Sequence, residues 1–343
     1  MKLAVTGGAG FIGSNFVRYW LGKHPQDDIR VIDKLTYAGS LASLGDALSD
    51  SRVKFFRLDI GEPAVAEALS GCDAAIHFAA ESHVDRSIED PAPFMRTNVE
   101  GTWRLIEFCR AGRVGRFVHV STDEVYGSAD HGESFSERAP LAPTSPYAAS
   151  KAASDLLVLS AVHTYGFPAI VTRCTNNYGP FQFPEKFIPL MILRALAGEP
   201  LPIYGDGRNV RDWIHVEDHC RALDLILHRG KDGAIYNIAG GCEQQNIAVA
   251  RRILGAAKKP ESLLRFVLDR PAHDRRYALD CSKLKSELGW EPQWDFGSGL
   301  EETVRWYQQH RAWWQEILSG EYQQYFERHY LRREETFKAI SSA

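Results

Sequence analysis

Three glycines near the N-terminus constrain the fold most. Gly7, Gly10 and Gly13 form G-x-x-G-x-x-G directly after the apolar run Leu3-Ala4-Val5 and before a helical pattern expected from about Ser14. A strand, a glycine loop and a helix in that order let the backbone approach a pyrophosphate, with free N–H groups and a positive dipole end at the helix start. Asp33 follows about twenty residues later, closing the second apolar run Val31-Ile32-Asp33. A carboxylate there accepts hydrogen bonds from ribose hydroxyls and repels a 2′-phosphate, so the dinucleotide is NAD rather than NADP. Asp59, just past the third run, is a candidate adenine contact.

The pattern continues in kind. Apolar runs at residues 53–58, 74–78, 117–121 and 169–173 alternate with helical periodicity, notably over 94–111 and 147–163. Apolar strands separated by helices mean βαβ units, and hence an α/β fold with a Rossmann-type doubly wound parallel sheet. Near Tyr178 the pattern changes: Pro180, Pro184, Pro189, Pro200 and Pro202 punctuate shorter, mixed segments. The expected division is therefore 1–178 as the NAD-binding domain and 179–343 as mainly a smaller α/β substrate-binding lobe. The chain is expected to return to the first domain around 212–237. Trp306, Trp313, Trp314, Tyr322, Tyr325, Phe326 and Tyr330 fit core or subunit packing.

Composition bounds the partners. In 343 residues, Lys+Arg total 40 and Asp+Glu 44, a net charge of −4. That gives no footprint for nucleic acid or an anionic membrane, while leaving room for a few local cations around an anionic small molecule. No apolar run approaches the ~18 residues that span a bilayer. Cys72, Cys109, Cys174, Cys220, Cys242 and Cys281 are scattered without a C-x-x-C pair, as in a reduced, cytoplasmic chain. Met1 to Thr6 run straight into the glycine loop, so no targeting segment is expected.

Tyr147 and Lys151 in Tyr-Ala-Ala-Ser-Lys share one face of a helix. The ammonium is expected to lower the tyrosine pKa, so that the phenolate takes a proton from a sugar hydroxyl while hydride leaves for a nicotinamide. With the glycine loop, this pair resembles the extended short-chain dehydrogenases/reductases. The segments at 7–14, 35–39, 78–87, 121–127, 176–180, 211–213 and 270–277 resemble the dTDP-glucose 4,6-dehydratase family more closely, and the resemblance runs from Met1 to about Trp314.

Thr122-Asp123-Glu124 after the fifth strand discriminates within that superfamily. Epimerases need Tyr, Lys and a Ser/Thr hydroxyl, and an additional Asp-Glu pair supplies the acid and base that water elimination requires. A capping box at Ser121-x-x-Glu124 is the structural alternative, but Val125-Tyr126-Gly127-Ser128 does not continue a helix. The resemblance implies a catalytic set of Thr122, Asp123, Glu124, Tyr147 and Lys151. For the cofactor it implies Phe11 and Ile12 in the loop, then Lys34, Leu35 and Thr36 after Asp33. It adds Ile60, Phe78, Ala79, Ala80, Ser82, Thr97 and Asn177, with Lys151 on the nicotinamide ribose. For the sugar nucleotide it implies Ser82, Thr122, Asn176, Glu185, Lys186 and Phe187. Pro202, Ile203, Tyr204, Arg211, Asn246, Asp269, Arg270 and His273 complete that set, with Arg guanidinium suited to a diphosphate.

Ala239, Cys242 and Ala272 depart from the family pattern in the substrate lobe. His215 and His219 stand four apart, but the segment is not H-E-x-x-H and no third ligand is evident; no metal site is expected. His215 is expected to cap or pack. The expected activity is NAD-dependent dehydration of dTDP-glucose to the 4-keto-6-deoxy sugar, by a cytoplasmic homodimer pairing through the helices at 94–111 and 147–163. The alternatives are a dehydratase of UDP-, CDP- or GDP-sugars, a UDP-sugar epimerase or decarboxylase, or a dinucleotide sensor lacking chemistry.

Overall fold

A computed structural model describes residues 1–269 and 273–318. The first strands are β1 (Lys2–Thr6), β2 (Asp28–Asp33), β3 (Val53–Arg57), β4 (Ala74–His77), β5 (Phe117–Thr122) and β6 (Ala169–Cys174). Those that follow are β7 (Asn176–Tyr178), β8 (Leu201–Tyr204), β9 (Val210–His215), β10 (Ile235–Ile238), β11 (Glu243–Gln245) and β12 (Leu264–Val267). A seven-stranded sheet runs in the order β10-β6-β5-β4-β1-β2-β3, with every pairing parallel.

Covering both faces of such a sheet favours mostly apolar strands, and β4, β5 and β6 are buried along their whole lengths, with the polar side chains of His77, Thr172 and Arg173 hydrogen-bonded. Helix α1 (Phe11–Lys23) and the Val216–Arg229 helix pack one face through Phe16, Trp20, Cys220 and Leu223. The Thr102–Ala111 and Pro146–Tyr165 helices pack the other through Leu105, Ile106 and Val158. Strand order reverses between β1 and β4, which opens a crevice at the carboxyl ends of the strands.

β9 leads into the Val216–Arg229 helix, which lies on α1 and delivers β10 beside β6. The remaining strands form a three-stranded sheet β11-β9-β7 and a pair β12-β8. The helices Phe187–Ala197, Asn246–Ala256 and Phe296–Gln309 surround a separate core with Tyr178, Ile188, Ile203, Trp213 and Ile253. Trp313 joins that core and its indole donates to Ser43 Oγ at 3.3 Å, while Trp306 packs on Phe181. Tyr322, Tyr325, Phe326 and Tyr330 lie outside the described residues.

Two local elements differ from the sequence-based expectation. α1 begins at Phe11 rather than near Ser14, because Gly10 takes the extended N-cap position and Gly13 already lies in the first turn. The helical stretch expected at 94–111 exists, but Met95–Gly101 is wound as a π-helix, a wider turn that hydrophobic periodicity does not encode.

Candidate active site

The glycine loop forms the floor of the crevice by close approach. Gly7 has φ +69°, and a Cβ there would sit 2.5 Å from Ala79 N; a Cβ on Gly13 would sit 2.2 Å from Gly7 O. Only glycine lets β1, β4 and α1 converge here. Asp33 Oδ2 accepts from Ala9 N at 3.0 Å and Oδ1 from Leu35 N at 2.8 Å. These bonds aim the carboxylate across the loop, though burial raises its pKa. Lys34 reaches Asp59 at 3.2 Å and Thr97 Oγ1 at 3.3 Å. The crevice wall continues through Phe11, Ile12, Thr36, Ile60, Phe78, Ala79, Ala80 and Ser82. An extended backbone cradle, free N–H groups at the α1 start and an aimed carboxylate fit the pyrophosphate and ribose of NAD.

Leu35 does not line this crevice. Its backbone takes φ +57°, its amide caps Asp33, and its side chain packs on the sheet core. Asn177 does line it, but with its amide fully engaged: Nδ2 donates to Thr175 O and Oδ1 meets His219 Nδ1 at 2.8 Å.

The chemistry-bearing side chains come from two elements. Ser145 caps the Pro146–Tyr165 helix by accepting from Ala148 N, and Pro146 sits in the first turn, where its missing N–H costs nothing. That start puts Tyr147 at the crevice and Lys151 one turn further. β5 ends in a one-turn 3-10 helix, Asp123–Tyr126. A cap therefore does exist here, but it is Thr122 rather than Ser121 that accepts from Glu124 N, at 3.3 Å. Thr122 Oγ1 donates to Asp123 Oδ1 at 3.2 Å.

Burial sets the proton affinities. Asp123 is 3% exposed, and burial together with the neighbouring Glu124 charge holds its carboxyl well above the usual range. Its Oδ2 is buried with no hydrogen-bond partner among the described residues. Lys151 is driven down to about 8 by burial, with Asp155 opposing the shift, and its Nζ donates to Val120 O at 2.9 Å. The expected lowering of the Tyr147 pKa is reversed: burial, then the Glu124 charge, push the phenol up, while one of the three ammonium N–H donors of Lys151 goes to the Val120 carbonyl.

Behind this set runs a buried network. Asp155 accepts from Arg173 Nε at 2.8 Å, Arg173 donates to Tyr126 Oη at 2.8 Å, and Tyr126 donates to Asn237 Oδ1 at 2.9 Å. It ties the helix carrying Lys151 to the turn carrying Asp123 and Glu124.

On the substrate side, Asn176, Lys186 and Glu185 border both parts of the crevice; Phe187, Pro202, Tyr204, Arg211, Asn246 and His273 line its outer part. The Arg211 guanidinium stacks on Tyr277 at 4.3 Å and donates to Asp274 O. Lys186 Nζ donates to Ser82 O, and Glu185 pairs with Arg86. Asn176 Oδ1 and Asn246 Oδ1 are buried without partners among the described residues. Ile203 departs from the expected substrate set. It is fully buried in the lobe core, because strand alternation turns Pro202 and Tyr204 toward the crevice and Ile203 away. Asp269 is not on the wall either; it holds His273 Nδ1 at 2.6 Å. Arg270 lies outside the described residues.

Glu81, His83, Asp85 and Tyr277 line the crevice without having been assigned to it, although they sit within the family-like segments at 78–87 and 270–277. Cys174, at the end of β6, lines it too, and nothing in its sequence context marks it. His215 caps the Val216–Arg229 helix through Glu217 N and packs against Trp294, ring centroids 4.3 Å apart.

A doubly wound sheet with a glycine loop, a Tyr147/Lys151 helix face and a second lobe over the crevice defines an NAD-using short-chain dehydrogenase/reductase of the extended type. Residues 4–303 match the family model described as GDP-mannose 4,6 dehydratase. The chain is 51% identical to a dTDP-glucose 4,6-dehydratase of Actinoplanes sp., over 92% of this chain and all of that one. It is 48% identical to that of Escherichia coli, over 94% and 98%. The chain belongs to this family and, within it, to the dTDP-glucose 4,6-dehydratases. A dTDP-glucose 4,6-dehydratase of Streptomyces venezuelae, solved with NAD and dTDP bound, superposes with TM-score 0.91 at 51% identity, covering 92% of this chain and 100% of that one. A Thermus thermophilus UDP-glucose 4-epimerase solved with NAD gives 0.84 at 32% identity, covering 90% and 100%.

Proposed function

We propose that this chain converts dTDP-glucose to dTDP-4-keto-6-deoxyglucose with NAD as a resident cofactor. The observation that carries this reading is Asp123, buried beside Glu124 with its Oδ2 unpaired among the described residues, added to the Thr122, Tyr147 and Lys151 set that simpler members of the superfamily share.

Gly7, Gly10, Gly13, Asp33 and Lys151 would hold the dinucleotide. When bound, it supplies a hydride acceptor for C4, a hydride donor for C6 and a positive charge beside Tyr147. Tyr147 takes the proton of the C4 hydroxyl, and Thr122 with Tyr147 holds the resulting ketone oxygen. The ketone acidifies C5, and Glu124 removes that proton as general base. Asp123, kept protonated by burial, gives its proton to the C6 hydroxyl, which departs as water. Glu124 then returns a proton to C5. Arg211, Lys186, Asn176 and Asn246 bind the nucleoside diphosphate and sugar, their buried amide oxygens finding partners there. The division into a cofactor domain (1–178, rejoined at 212–237) and a nucleotide lobe is part of this reading.

We further propose a cytoplasmic homodimer. Support comes from six free thiols and from Met95, Leu156 and Tyr165, exposed at 41%, 57% and 49% on the two helices concerned. Among the described residues no helix is long and apolar enough to cross a membrane.

The test is turnover of a dTDP-, UDP-, GDP- and CDP-glucose panel, read by ultraviolet absorbance of base-treated product, with the bound nucleotide identified after denaturation. A 4-keto-6-deoxy product from dTDP-glucose above the others supports the reading; a C4 epimer overturns it. Glu124→Gln with C5-deuterated substrate checks the base, since undiminished elimination and solvent exchange at C5 sink that assignment.

A further inference from the structure

One trio of side chains has no part in this chemistry. Among the described residues, His24, Asp224 and His228 are the group of His, Cys, Asp and Glu whose ligand atoms all lie within 4.8 Å of one another. His24 is the C-cap of α1, at the opposite end from the glycine loop and about 20 Å along the axis. Asp224 and His228 stand one turn apart on the Val216–Arg229 helix and so share a face.

His24 Nε2 is 3.1 Å from both carboxylate oxygens of Asp224, and His228 Nδ1 is 2.9 Å from Oδ1 and 3.0 Å from the Asp224 backbone carbonyl, a bond that an ion taken at that nitrogen would replace. The two imidazoles stack at 5.3 Å, and Trp20 lies against both, at 4.0 and 5.5 Å. Tyr19 Oη donates to Asp224 Oδ2 at 2.9 Å, the outer hydrogen bond that fixes a ligating carboxylate. Side-chain exposures of 12% for Asp224, 23% for His24 and 39% for His228 leave the trio oriented yet open to an ion on one side.

We propose that His24, Asp224 and His228 bind one divalent transition-metal ion, clamping the end of α1 to the Val216–Arg229 helix. Two imidazoles and one carboxylate are the donors that zinc and cobalt select over magnesium or calcium. Three protein ligands leave a fourth, solvent-facing position for water. The ligands must be deprotonated, so binding releases any proton the imidazoles hold. The clamp joins segments 200 residues apart in sequence and lies outside the crevice, so its role is structural. It is independent of the sugar chemistry proposed above.

The test takes full-length, chelator-treated protein with its cofactor content checked, alongside His228→Ala and His24→Gln. Zinc binding is followed by calorimetry and cobalt binding by visible absorption. Expected are one equivalent of zinc, a tetrahedral cobalt spectrum, and at least about tenfold weaker binding in either variant. With zinc at 100-fold over Kd, the parent's unfolding midpoint should rise by about 4 °C and that of either variant should not. Zinc binding that is unchanged in both variants, or absent from the parent at micromolar zinc, overturns the proposal, leaving the trio a hydrogen-bonded His-Asp-His set. Turnover of the metal-free parent should match that of the zinc-loaded protein.

Discussion

The wall of the crevice around the glycine loop and the wall around Arg211 are held by different physics. The first is mostly backbone: Gly7 and Gly13 press main chain against main chain, and Asp33 is aimed by two amide N–H groups. Its parts sit at the ends of consecutive parallel strands, in short contiguous stretches. The second is mostly side chain. Asn176, Lys186, Tyr204, Arg211, Asn246 and His273 arrive from separate elements, and their geometry rests on stacking and on single hydrogen bonds such as Arg211 to Asp274 O. A backbone site tolerates almost no added atom, whereas a side-chain site can change one contact and keep the rest.

The sharpest test of that contrast lies between the two walls. Under the proposed chemistry Tyr147→Phe removes the phenol oxygen that takes the C4 hydroxyl proton, so turnover should drop about 10³-fold with nucleotide content unchanged, measured by single-turnover kinetics. Gly13→Ala comes next. Its Cβ would meet Gly7 O and Gly8 Cα, both backbone, a clash of about 1–3 kcal/mol. The NAD retained through purification should weaken in affinity by about 10- to 100-fold. A Gly13→Ala protein that purifies fully loaded would break the backbone account.

On the other wall, Arg211→Lys keeps the charge but loses the planar fork and the stack on Tyr277. KM should rise about tenfold while kcat and cofactor content hold. Equal losses in kcat and cofactor would mean that the two walls are not separable.

pH reaches the first wall through Lys151. Its ammonium is lost above about 8, so kcat should fall as pH rises through that value. Asp155→Asn removes the anion that favours the ammonium, so the limb should move to lower pH in a pH–rate profile. In stability the sign is opposite. Between about 8 and the ordinary 10.5, the unfolded chain holds a proton that the folded chain has lost, so this group favours folding as pH rises.

Smallest is Ile203→Val, on the strand between two crevice residues. About 1 kcal/mol of stability should be lost in denaturant unfolding, with KM unmoved. A changed KM would return Ile203 to the substrate set.

Where the fold and site were legible, the signal was local. The glycine spacing, Asp33 at a strand end and the parallel-sheet pattern survive in β1, β2 and α1 because each is fixed by neighbours in the chain. Tyr147 and Lys151 were legible for the same reason: four residues on a helix leave one geometry. The π-helical Met95–Gly101 was not legible, since it answers to packing of Gly101 on Ile60 and to Asn98 bonding Glu81 and Ser150. Nor was the inward turn of Ile203, because Pro-Ile-Tyr reads alike from either face until the lobe core claims one.

The sequence by itself determined the glycine loop, the shared helix face of Tyr147 and Lys151 and the alternation of parallel strands with helices, all consequences of short-range spacing. The tertiary structure alone decided the proton affinities. Tyr147 and Asp123 are pushed up, and Lys151 is pulled down, because the burial that dominates all three, and the Glu124 charge facing Tyr147, exist only once the Pro146–Tyr165 helix packs against the end of β5. It also decided that His24 meets Asp224 and His228, since only the packing of two helices side by side on one sheet face brings residues 200 positions apart to hydrogen-bonding distance.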